Sequence, residues 1–203
     1  MIDEDNLKLV VLSEKYNNNN LNDFDCLNLD EEFPDFNSKQ RKKFKVHSQN
    51  INDFLVKEAF QEQNESLNTT HLLFYKDDNS EYLTGFMSLC ADNIRLEICE
   101  EEEEGLIYAN IPSLKIARLG IDKNFQDKKL GKFMIDNAIN IALNMRDFIG
   151  VKFITVDCYK HRVSYYKSLG FVVNKIQKPN RQPDNPLSLR LNIDKYIEKY
   201  ISL

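Results

Sequence analysis

Residues 119–132 read LGIDKNFQDKKLGK and contain the clearest structural signal in the chain. This stretch closes an apolar run from Leu114 to Ile121 that is typical of a strand. It leads into residues 130–145, where apolar side chains recur on one helical face. The first N–H groups of a helix lack intrahelical acceptors and lie at the positive end of its dipole, so phosphate binds there readily. The stretch predicts a phosphate-binding turn, with an ordinary solvated turn as the alternative.

A second feature is the segment from Ser164 to Phe171, which reads SYYKSLGF. The pattern predicts a short helix closed by Gly170, because glycine adopts the left-handed conformation past a helix end without steric cost. Taken alone, the pair Tyr165 and Tyr166 indicates packing more often than catalysis. The segment gains a functional interpretation only in combination with the turn.

Together the two features resemble the GNAT acetyltransferase superfamily. Its signature is a Gln/Arg-x-x-Gly-x-Gly/Ala loop after the fourth strand, followed by a helix, a strand and a short helix that ends in Tyr-x-x-x-Gly-Phe. Residues 126–131 here read QDKKLG, and residues 166–171 read YKSLGF. Order and spacing both match, and the resemblance spans residues 70–191. One departure is Lys129, which stands where the family has its first glycine and either narrows the phosphate cradle or supplies a charged contact.

The resemblance implies an α/β fold with a mixed, mostly antiparallel central sheet of about six or seven strands and helices on both faces. We expect a single N-acetyltransferase domain over residues 1–203, with a loop-rich insertion at residues 28–50. The resemblance also implies acetyl-CoA as the co-substrate. The histidines and cysteines are dispersed along the chain, so the sequence predicts no metal site.

The resemblance further implies roles for individual residues. The pyrophosphate would lie on the backbone N–H groups of residues 128–132, and the pantetheine amides would pair with the backbone of residues 119–121. A backbone N–H at Leu119 or its neighbour would polarise the thioester carbonyl. Tyr166 would donate a proton to the departing CoA thiolate. The residues expected to contact the co-substrate are Leu119, Gly120, Ile121, Gln126, Asp127, Lys128, Lys129, Leu130, Gly131 and Lys132.

A narrower resemblance concerns the GNAT subfamily that includes toxins of toxin–antitoxin modules. Residues 111–122 look like the fourth-strand region of that subfamily. Phe24-Asp25-Cys26 and the later stretch of residues 51–55, INDFL, are similar to its N-terminal pattern, interrupted here by additional residues. Those toxins acetylate the amino group of aminoacyl-tRNA.

Three functions are open at this point. The first is an N-acetyltransferase that transfers acetyl from acetyl-CoA to a primary amine by direct attack in a ternary complex. The second is a toxin that acetylates aminoacyl-tRNA. The third is a catalytically silent acyl-CoA-binding domain, which Lys129 motivates. Asp157 and Glu97 are candidate general bases, and Cys158 with His161 leaves a covalent route open.

The formal net charge of −5 conceals an asymmetry. Residues 1–110 hold 10 basic and 24 acidic side chains, whereas residues 111–203 hold 17 and 8. A basic half suits an anionic partner, and an acidic half suits an amine or a protein. The patch Arg41-Lys42-Lys43 is either a nucleic-acid contact or a solvated surface. The expected partners are an amine-bearing acceptor, tRNA and a second copy of the chain.

The N-terminus, MIDED, lacks the basic and apolar stretches of a secretory signal, and no apolar run approaches the ~18–20 residues that span a bilayer. We therefore expect a cytoplasmic protein with no membrane partner. In that compartment the four cysteines, Cys26, Cys90, Cys99 and Cys158, are expected to be free thiols.

The remaining patterns predict the other elements. Loops are expected at residues 17–20, across the glutamate run from Glu100 to Glu104, and at residues 177–186. The other expected elements are strands at 7–12, 71–75, 82–89, 151–156, 171–173 and 187–191, and helices at 51–60, 162–169 and 193–201.

Overall fold

The computed structural model describes residues 2–16, 21–28, 35–78, 80–177 and 186–200. The predicted asparagine loop at residues 17–20 and residues 178–185 of the predicted C-terminal loop lie outside the described residues. The predicted strands are confirmed, but β3 extends six residues beyond its predicted end at residue 89 and β4 begins four residues before its predicted start at residue 114. The strands are β1 (Leu7–Val11), β2 (Thr69–Lys76), β3 (Glu81–Arg95), β4 (Asn110–Ile121), β5 (Phe153–Cys158), β6 (Val172–Val173) and β7 (Leu187–Asn192).

The seven strands are hydrogen-bonded in the order β1-β2-β3-β4-β5-β7-β6. The pairs β1–β2, β2–β3, β5–β7 and β6–β7 are antiparallel, whereas β4 and β5 run parallel. Two parallel neighbours need a crossover connection, and the helix predicted at residues 130–145 supplies it. The predicted mixed, mostly antiparallel sheet is confirmed.

The helices also follow the sequence prediction in most places. The crossover helix begins and ends where the apolar periodicity places it. A π-helical stretch, Phe54–Glu58, continues the first helix into the second. The helices are α1 (Ser38–Asp53), α2 (Ala59–Asn64), α3 (Ile98–Glu104), α4 (Leu130–Met145), α5 (Val163–Ser168) and α6 (Ile193–Tyr200).

Helix α1 corrects the prediction of a loop-rich insertion at residues 28–50. Residues 38–50 are helical, while residues 29–34 lie outside the described part of the chain. Asn37 and Gln40 form a capping box, because each side-chain oxygen accepts the backbone N–H of the other residue at 3.0 Å. The basic run hid a helix whose apolar side carries Phe44 and Ile51.

Helix α3 corrects the prediction of a solvated loop over Glu100–Glu104. Two of its glutamates pair with Arg190, whose side chain is 2% exposed; the side chain of Glu100 is 1% exposed and that of Glu104 is 7% exposed. Gly105 closes the helix in the left-handed conformation, with φ 66°. Attraction to Arg190, which is distant in sequence, thus outweighs the mutual repulsion of the glutamates from which a loop was predicted.

The chain divides into two compact units. The first unit comprises Met1–Leu89 and Arg118–Met134, and the second comprises Cys90–Ala117 and Ile135–Leu203. The first unit has an aromatic core in which the Phe24 and Phe54 rings contact Phe86, with centroids 5.4 and 6.1 Å away. The expectation of a single domain stays a prediction. In the second unit one core cluster contains Ile94, Leu96, Ile111 and Phe153.

Within the described residues, no helix combines the length and the apolar character needed to cross a membrane. No disulfide bond joins any of the four cysteines, all of which the structure describes; Cys26 and Cys158 are buried, whereas Cys90 and Cys99 are partly exposed.

Candidate functional site

The turn between β4 and α4 contains two non-glycine residues in the left-handed conformation. Asp127 has φ 58° and Lys129 has φ 63°. This region costs an L-residue roughly 1–2 kcal/mol, because its Cβ approaches a carbonyl oxygen. Left-handed residues in a turn direct successive N–H groups into one concavity, the arrangement of anion-binding nests. Lys129 therefore adopts a conformation that glycine takes without steric cost, at the position where the resembled family has its first glycine.

The side chains of this turn divide into anchors and exposed charges. Leu130 is buried, whereas Lys128 and Lys129 are exposed. The Lys128 ammonium donates a hydrogen bond to the Asn124 carbonyl at 2.7 Å and lies 4.7 Å from the centroid of the Phe125 ring. Lys128 thus closes its own turn, and Lys129 presents its charge to solvent.

Gln126 ties the turn to two other backbone segments. Its Nε2 donates to the carbonyls of Cys26 and Ile121, both at 3.0 Å. Its Oε1 is buried and has no hydrogen-bond partner among the described residues. The side chain predicted to contact the co-substrate therefore fixes the path of the turn, from the end of β4 to the N-terminal segment.

A polar network that the sequence did not reveal holds the start of the turn. The Asp25 carboxylate accepts hydrogen bonds from the Lys123 ammonium at 3.0 Å and from Asn52 Nδ2 at 2.9 Å. The Asp25 N–H donates to Asp122 at 3.1 Å. Burial raises the pKa of Asp25, but hydrogen bonds from the Leu27 N–H, Lys123 and Asn52 outweigh burial and leave that pKa lowered. The carboxylate stays ionised and clamps helix α1 to the turn.

Gly120 is required where β4 passes under helix α1. A Cβ at this position would lie 2.9 Å from Ile51 Cγ2, 3.0 Å from the Phe86 ring and 3.1 Å from the Phe24 ring. The first distance is shorter than real Cβ contacts and the other two are tighter than most, so a side chain here would require Ile51 and the two rings to shift. The glycine predicted for backbone contact with the co-substrate thus has a packing role in the first unit.

The pairing of β4 with β5 ends before β4 itself ends. Its parallel register with β5 runs from Ser113 opposite Phe153 to Ile116 opposite Val156. Strand β4 continues to Ile121. Residues 119–121 therefore lie outside that register, as backbone available to pair with pantetheine amides must.

Tyr166, the predicted proton donor, is a largely buried residue of the second unit. It lies on α5 and is 9% exposed. Its ring packs edge-on against Tyr165 and Phe171, with both centroid distances 5.3 Å. Gly170 has φ 94°, and the Phe171 N–H donates to the Tyr166 carbonyl at 3.1 Å. The left-handed glycine therefore folds Phe171 back onto Tyr166, which explains the spacing of the motif.

The environment of Tyr166 keeps two neighbouring groups neutral. Burial, aided by Cys158 and Tyr165, raises the pKa of Tyr166 well above its ordinary value. Burial, aided by the Asp157 carboxylate, raises the pKa of Cys158 to about 12. A thiol with this pKa is almost entirely protonated at neutral pH and is a poor nucleophile. Burial and the neighbouring Asp157 carboxylate therefore disfavour a covalent route through Cys158.

The two candidate general bases have other contacts in the second unit. The Asp157 carboxylate forms an ion pair with Lys115. The Glu97 backbone N–H donates to the Glu100 carboxylate at 3.1 Å at the start of α3, and the Glu97 carboxylate accepts a contact from the Cys99 thiol at 3.9 Å. The described side chains of the second unit thus give Asp157 a cationic partner and place Glu97 at a helix terminus.

The structure brings together all ten residues expected to contact the co-substrate, since every one lies in the first unit. Tyr166 belongs to the second unit. Among the described residues there is no group of three or more His, Cys, Asp or Glu side chains that could hold a metal ion. The assignment of individual site residues stays a prediction.

Several solved structures are similar to the chain over nearly its whole length. A tyrosine-to-phenylalanine mutant of KacT has a TM-score of 0.69 and 15% identity, covering 96% of this chain and 99% of that one. AtaT complexed with acetyl-methionyl-tRNAfMet has a TM-score of 0.68 and 19% identity, covering 97% and 99%. AtaTR bound with AcCoA has a TM-score of 0.65 and 19% identity, with the same coverage. The chain has the GNAT fold.

The GNAT fold confirms the architecture that the two motifs predicted. No protein-family model matches the chain, and no curated protein matches it in sequence. The short motifs were therefore the part of the sequence that indicated the fold.

Sequence reasoning missed the roles of Asp25 and Asn52 in the GNAT fold of this chain. Both residues fall within stretches that resembled the toxin subfamily, and that coincidence was the available signal. The two stretches are separated by residues 27–50, so their contact becomes visible only when α1 is placed against the turn.

Proposed function

We propose that the chain transfers an acetyl group from acetyl-CoA to a primary amine, and that the amine belongs to an aminoacyl-tRNA. The observation that carries this proposal is the left-handed Lys129 in the turn that opens helix α4. This conformation supports an anion-binding backbone at the position where the sequence departs from the family motif. The proposal is supported by the similarity to AtaTR bound with AcCoA and to AtaT complexed with acetyl-methionyl-tRNAfMet.

The residues of the turn fit a pyrophosphate. The first N–H groups of α4, from residues 130–132, have no intrahelical acceptors, so they can donate hydrogen bonds to an anion. The positive end of the helix dipole also attracts that anion. Lys129 is exposed beside them and adds a positive charge. The Asp25 network and Gln126 hold the turn in this conformation before the anion arrives, which lowers the entropy lost on binding.

The backbone of β4 has two roles in this proposal. Residues 119–121 lie beyond the β4–β5 register and pair with the pantetheine amides as an added strand would. A backbone N–H at Leu119 or its neighbour donates a hydrogen bond to the thioester oxygen. Such a donor is typically worth several kcal/mol when charge develops on that oxygen.

Tyr166 donates its phenolic O–H toward the departing CoA sulfur. Its raised pKa keeps the phenol protonated throughout the physiological range, so the donor is present when it is needed. A thiol has a reference pKa of ~8.5 and a phenol one of ~10, and burial raises the pKa of Tyr166 further, so complete proton transfer is uphill and the assistance is moderate. Tyr166 therefore acts chiefly by hydrogen bonding to the sulfur as negative charge develops.

The acceptor amine attacks the thioester directly. The sequence left a covalent route through Cys158 open. This thiol is buried, and a pKa of about 12 keeps it protonated at neutral pH, which disfavours that role. The amine must be neutral, and an aminoacyl ester has an amine that is already largely neutral, so it needs no strong base. This acceptor agrees with the ion pair that occupies Asp157.

The decisive test incubates the protein with acetyl-CoA and a panel of amines, polyamines, peptides and aminoacyl-tRNA, followed by mass spectrometry. Acetylation of the aminoacyl-tRNA α-amino group is expected. Acetylation of a small amine alone would show that the protein is an acetyltransferase with a different acceptor. Absence of transfer to every acceptor, with acetyl-CoA bound, would support the silent binding domain instead.

A matched pair of variants tests the role of the phenol. Tyr166→Phe is expected to retain acetyl-CoA binding and to lose most acetyl transfer, whereas Tyr165→Phe next to it is expected to retain both. Growth of a bacterial host gives a second readout, because a toxin arrests growth in a Tyr166-dependent way. Equal activities of the two variants would remove Tyr166 from the mechanism.

A further inference from the structure

Helix α1 carries an exposed face of lysines that the proposed chemistry does not use. Residues 38–52 contain five basic and no acidic side chains. Lys39, Lys42 and Lys45 are exposed, and none of the three forms an ion pair with a described residue. At 3.6 residues per turn they lie opposite the side that buries Phe44 and His47. We call these three residues the α1 lysine face.

The placement of these lysines opposes the stability of the helix itself. Positions three residues apart are neighbours on a helix surface, so Lys42 is repelled by both Lys39 and Lys45. Cations near a helix N-terminus also oppose the macrodipole, and the first turn of α1 contains no acidic residue. Within the described ranges, no acidic side chain forms an ion pair with these three lysines, whereas an anionic partner would compensate their charge.

The α1 lysine face is fixed relative to the candidate co-substrate turn within the first unit. At the C-terminal end of α1, Asn52 Oδ1 accepts the Cys26 N–H at 3.1 Å, and the Cys26 carbonyl accepts Gln126 Nε2 at 3.0 Å. Ile51 packs over Gly120. One end of the helix therefore grips the turn, and the other end presents the lysines.

We infer that the α1 lysine face binds the phosphate backbone of the RNA acceptor. The inference rests on the proposed function and assigns it a docking surface. Protein–protein interfaces are depleted in lysine at their centres, whereas nucleic-acid interfaces are polar and strongly positive. The only large apolar side chain exposed beside these lysines on α1 is Val46, among the described residues. Lysine contacts of this kind bind phosphate without reading sequence.

The test compares two triple variants of the full chain. Lys39→Gln/Lys42→Gln/Lys45→Gln neutralises the α1 lysine face, and Lys8→Gln/Lys15→Gln/Lys76→Gln removes the same charge from exposed sites elsewhere in the first unit. Binding of deacylated tRNA is measured by fluorescence anisotropy over a salt series. Acetyl-CoA binding, measured by calorimetry, and thermal unfolding report whether each variant is folded.

The α1 variant is expected to bind tRNA at least tenfold more weakly than the control variant, with unchanged acetyl-CoA binding. The slope of log affinity against log salt should fall in magnitude by about two, since each lost phosphate contact removes about 0.7–0.9. Equal tRNA affinities of the two variants would overturn the inference. Equally tight, equally α1-dependent binding of polyglutamate would overturn the assignment to RNA in favour of an acidic protein.

Failure of the inference is distinguishable from failure of the proposed function. If the unaltered protein binds tRNA through α1 but does not acetylate aminoacyl-tRNA, the surface stands and the proposed reaction is wrong. If the unaltered protein acetylates aminoacyl-tRNA and the α1 variant does so as well as the control, the reaction stands and the surface is wrong.

Discussion

Two helices of this chain each carry many charges of one sign, but the charges are exposed in one helix and partly buried in the other. Helix α1 keeps its lysine face exposed, without ion pairs to the described residues. Helix α3 turns Glu100 and Glu104 inward to Arg190, with one oxygen of Glu100 at 2.6 Å from the guanidinium. The Arg190 guanidinium also lies 5.8 Å from the Phe153 ring centroid. A run of like charge therefore does not reveal by itself whether it is solvated or structural.

The difference between the helices lies in partners that are distant in sequence. Arg190 is 90 residues from Glu100, and Asn174 also accepts a hydrogen bond from its guanidinium at 3.0 Å. A buried charge is stable only when it is paired and hydrogen-bonded. Helix α3 therefore holds a structural ion network, whereas the proposed role of the α1 charge is to bind an external anionic partner.

The largest effect is expected from removal of the buried cation. Arg190→Met leaves Glu100 and Glu104 buried without a matching guanidinium and should lower the free energy of unfolding by about 3–5 kcal/mol. Lys195→Met removes the exposed partner of Glu104 and should cost about 0–1 kcal/mol. Urea unfolding of both variants measures the difference. Similar losses would mean that the buried network is no more important than a surface ion pair.

A second comparison stays within α3. Glu100→Gln keeps a side chain that accepts hydrogen bonds but removes the charge that faces Arg190, so it should cost about 1–3 kcal/mol. Glu102→Gln alters an exposed neighbour in the same run and should change stability by less than about 0.5 kcal/mol. The measurement is again urea unfolding. Equal changes in the free energy of unfolding would mean that Glu100 is solvated, as the sequence predicted.

Acid should weaken the α3 network and leave the α1 lysine face charged. Burial raises the pKa of Glu100, but hydrogen bonds from the Glu97 and Lys175 N–H groups and the charge of Arg190 outweigh it, so the pKa is lowered. A depressed carboxylate pKa contributes stability above the unfolded value of ~4.3, and this contribution is lost as pH falls through the folded value. The stability gap between the unaltered protein and Glu100→Gln should therefore shrink at pH 3. A gap that widens in acid would contradict this sign.

The smallest effect is expected on α1. Lys42→Glu replaces two repulsive contacts, with Lys39 and Lys45, by attractive ones and should raise stability by about 0.5 kcal/mol. Thermal unfolding should show a midpoint higher by about 1–2 °C. A loss of stability would mean that Lys42 has a structural partner and that α1 is less different from α3 than we conclude.

The sequence predicted what depends on local pattern. The turn of residues 119–132 and helix α4 were predictable because strand, turn and helix signals follow one another without interruption. The pairing of Tyr166 with Phe171 through Gly170 was likewise encoded in six consecutive residues. Local consistency of this kind identified the GNAT fold.

What the sequence did not predict depends on long-range contact. Helix α1 was hidden by its basic composition, since charge suggested a loop more strongly than the apolar spacing of Phe44 and Ile51 suggested a helix. The Asp25–Asn52 hydrogen bond joins segments 27 residues apart. The burial of Glu100 required Arg190, which no local pattern places beside it.

In the proposed reaction, the backbone of the turn, held left-handed at Lys129, binds the pyrophosphate of acetyl-CoA. Calorimetric titration of acetyl-CoA into Lys129→Gly and Lys129→Val tests this binding role, with thermal unfolding as the check on folding. Glycine adopts positive φ freely, whereas a β-branched residue is an outlier there. We predict affinity within about threefold of the unaltered protein for Lys129→Gly and at least a tenfold loss, about 1.4 kcal/mol, for Lys129→Val. Equal affinities of the two variants would contradict the account.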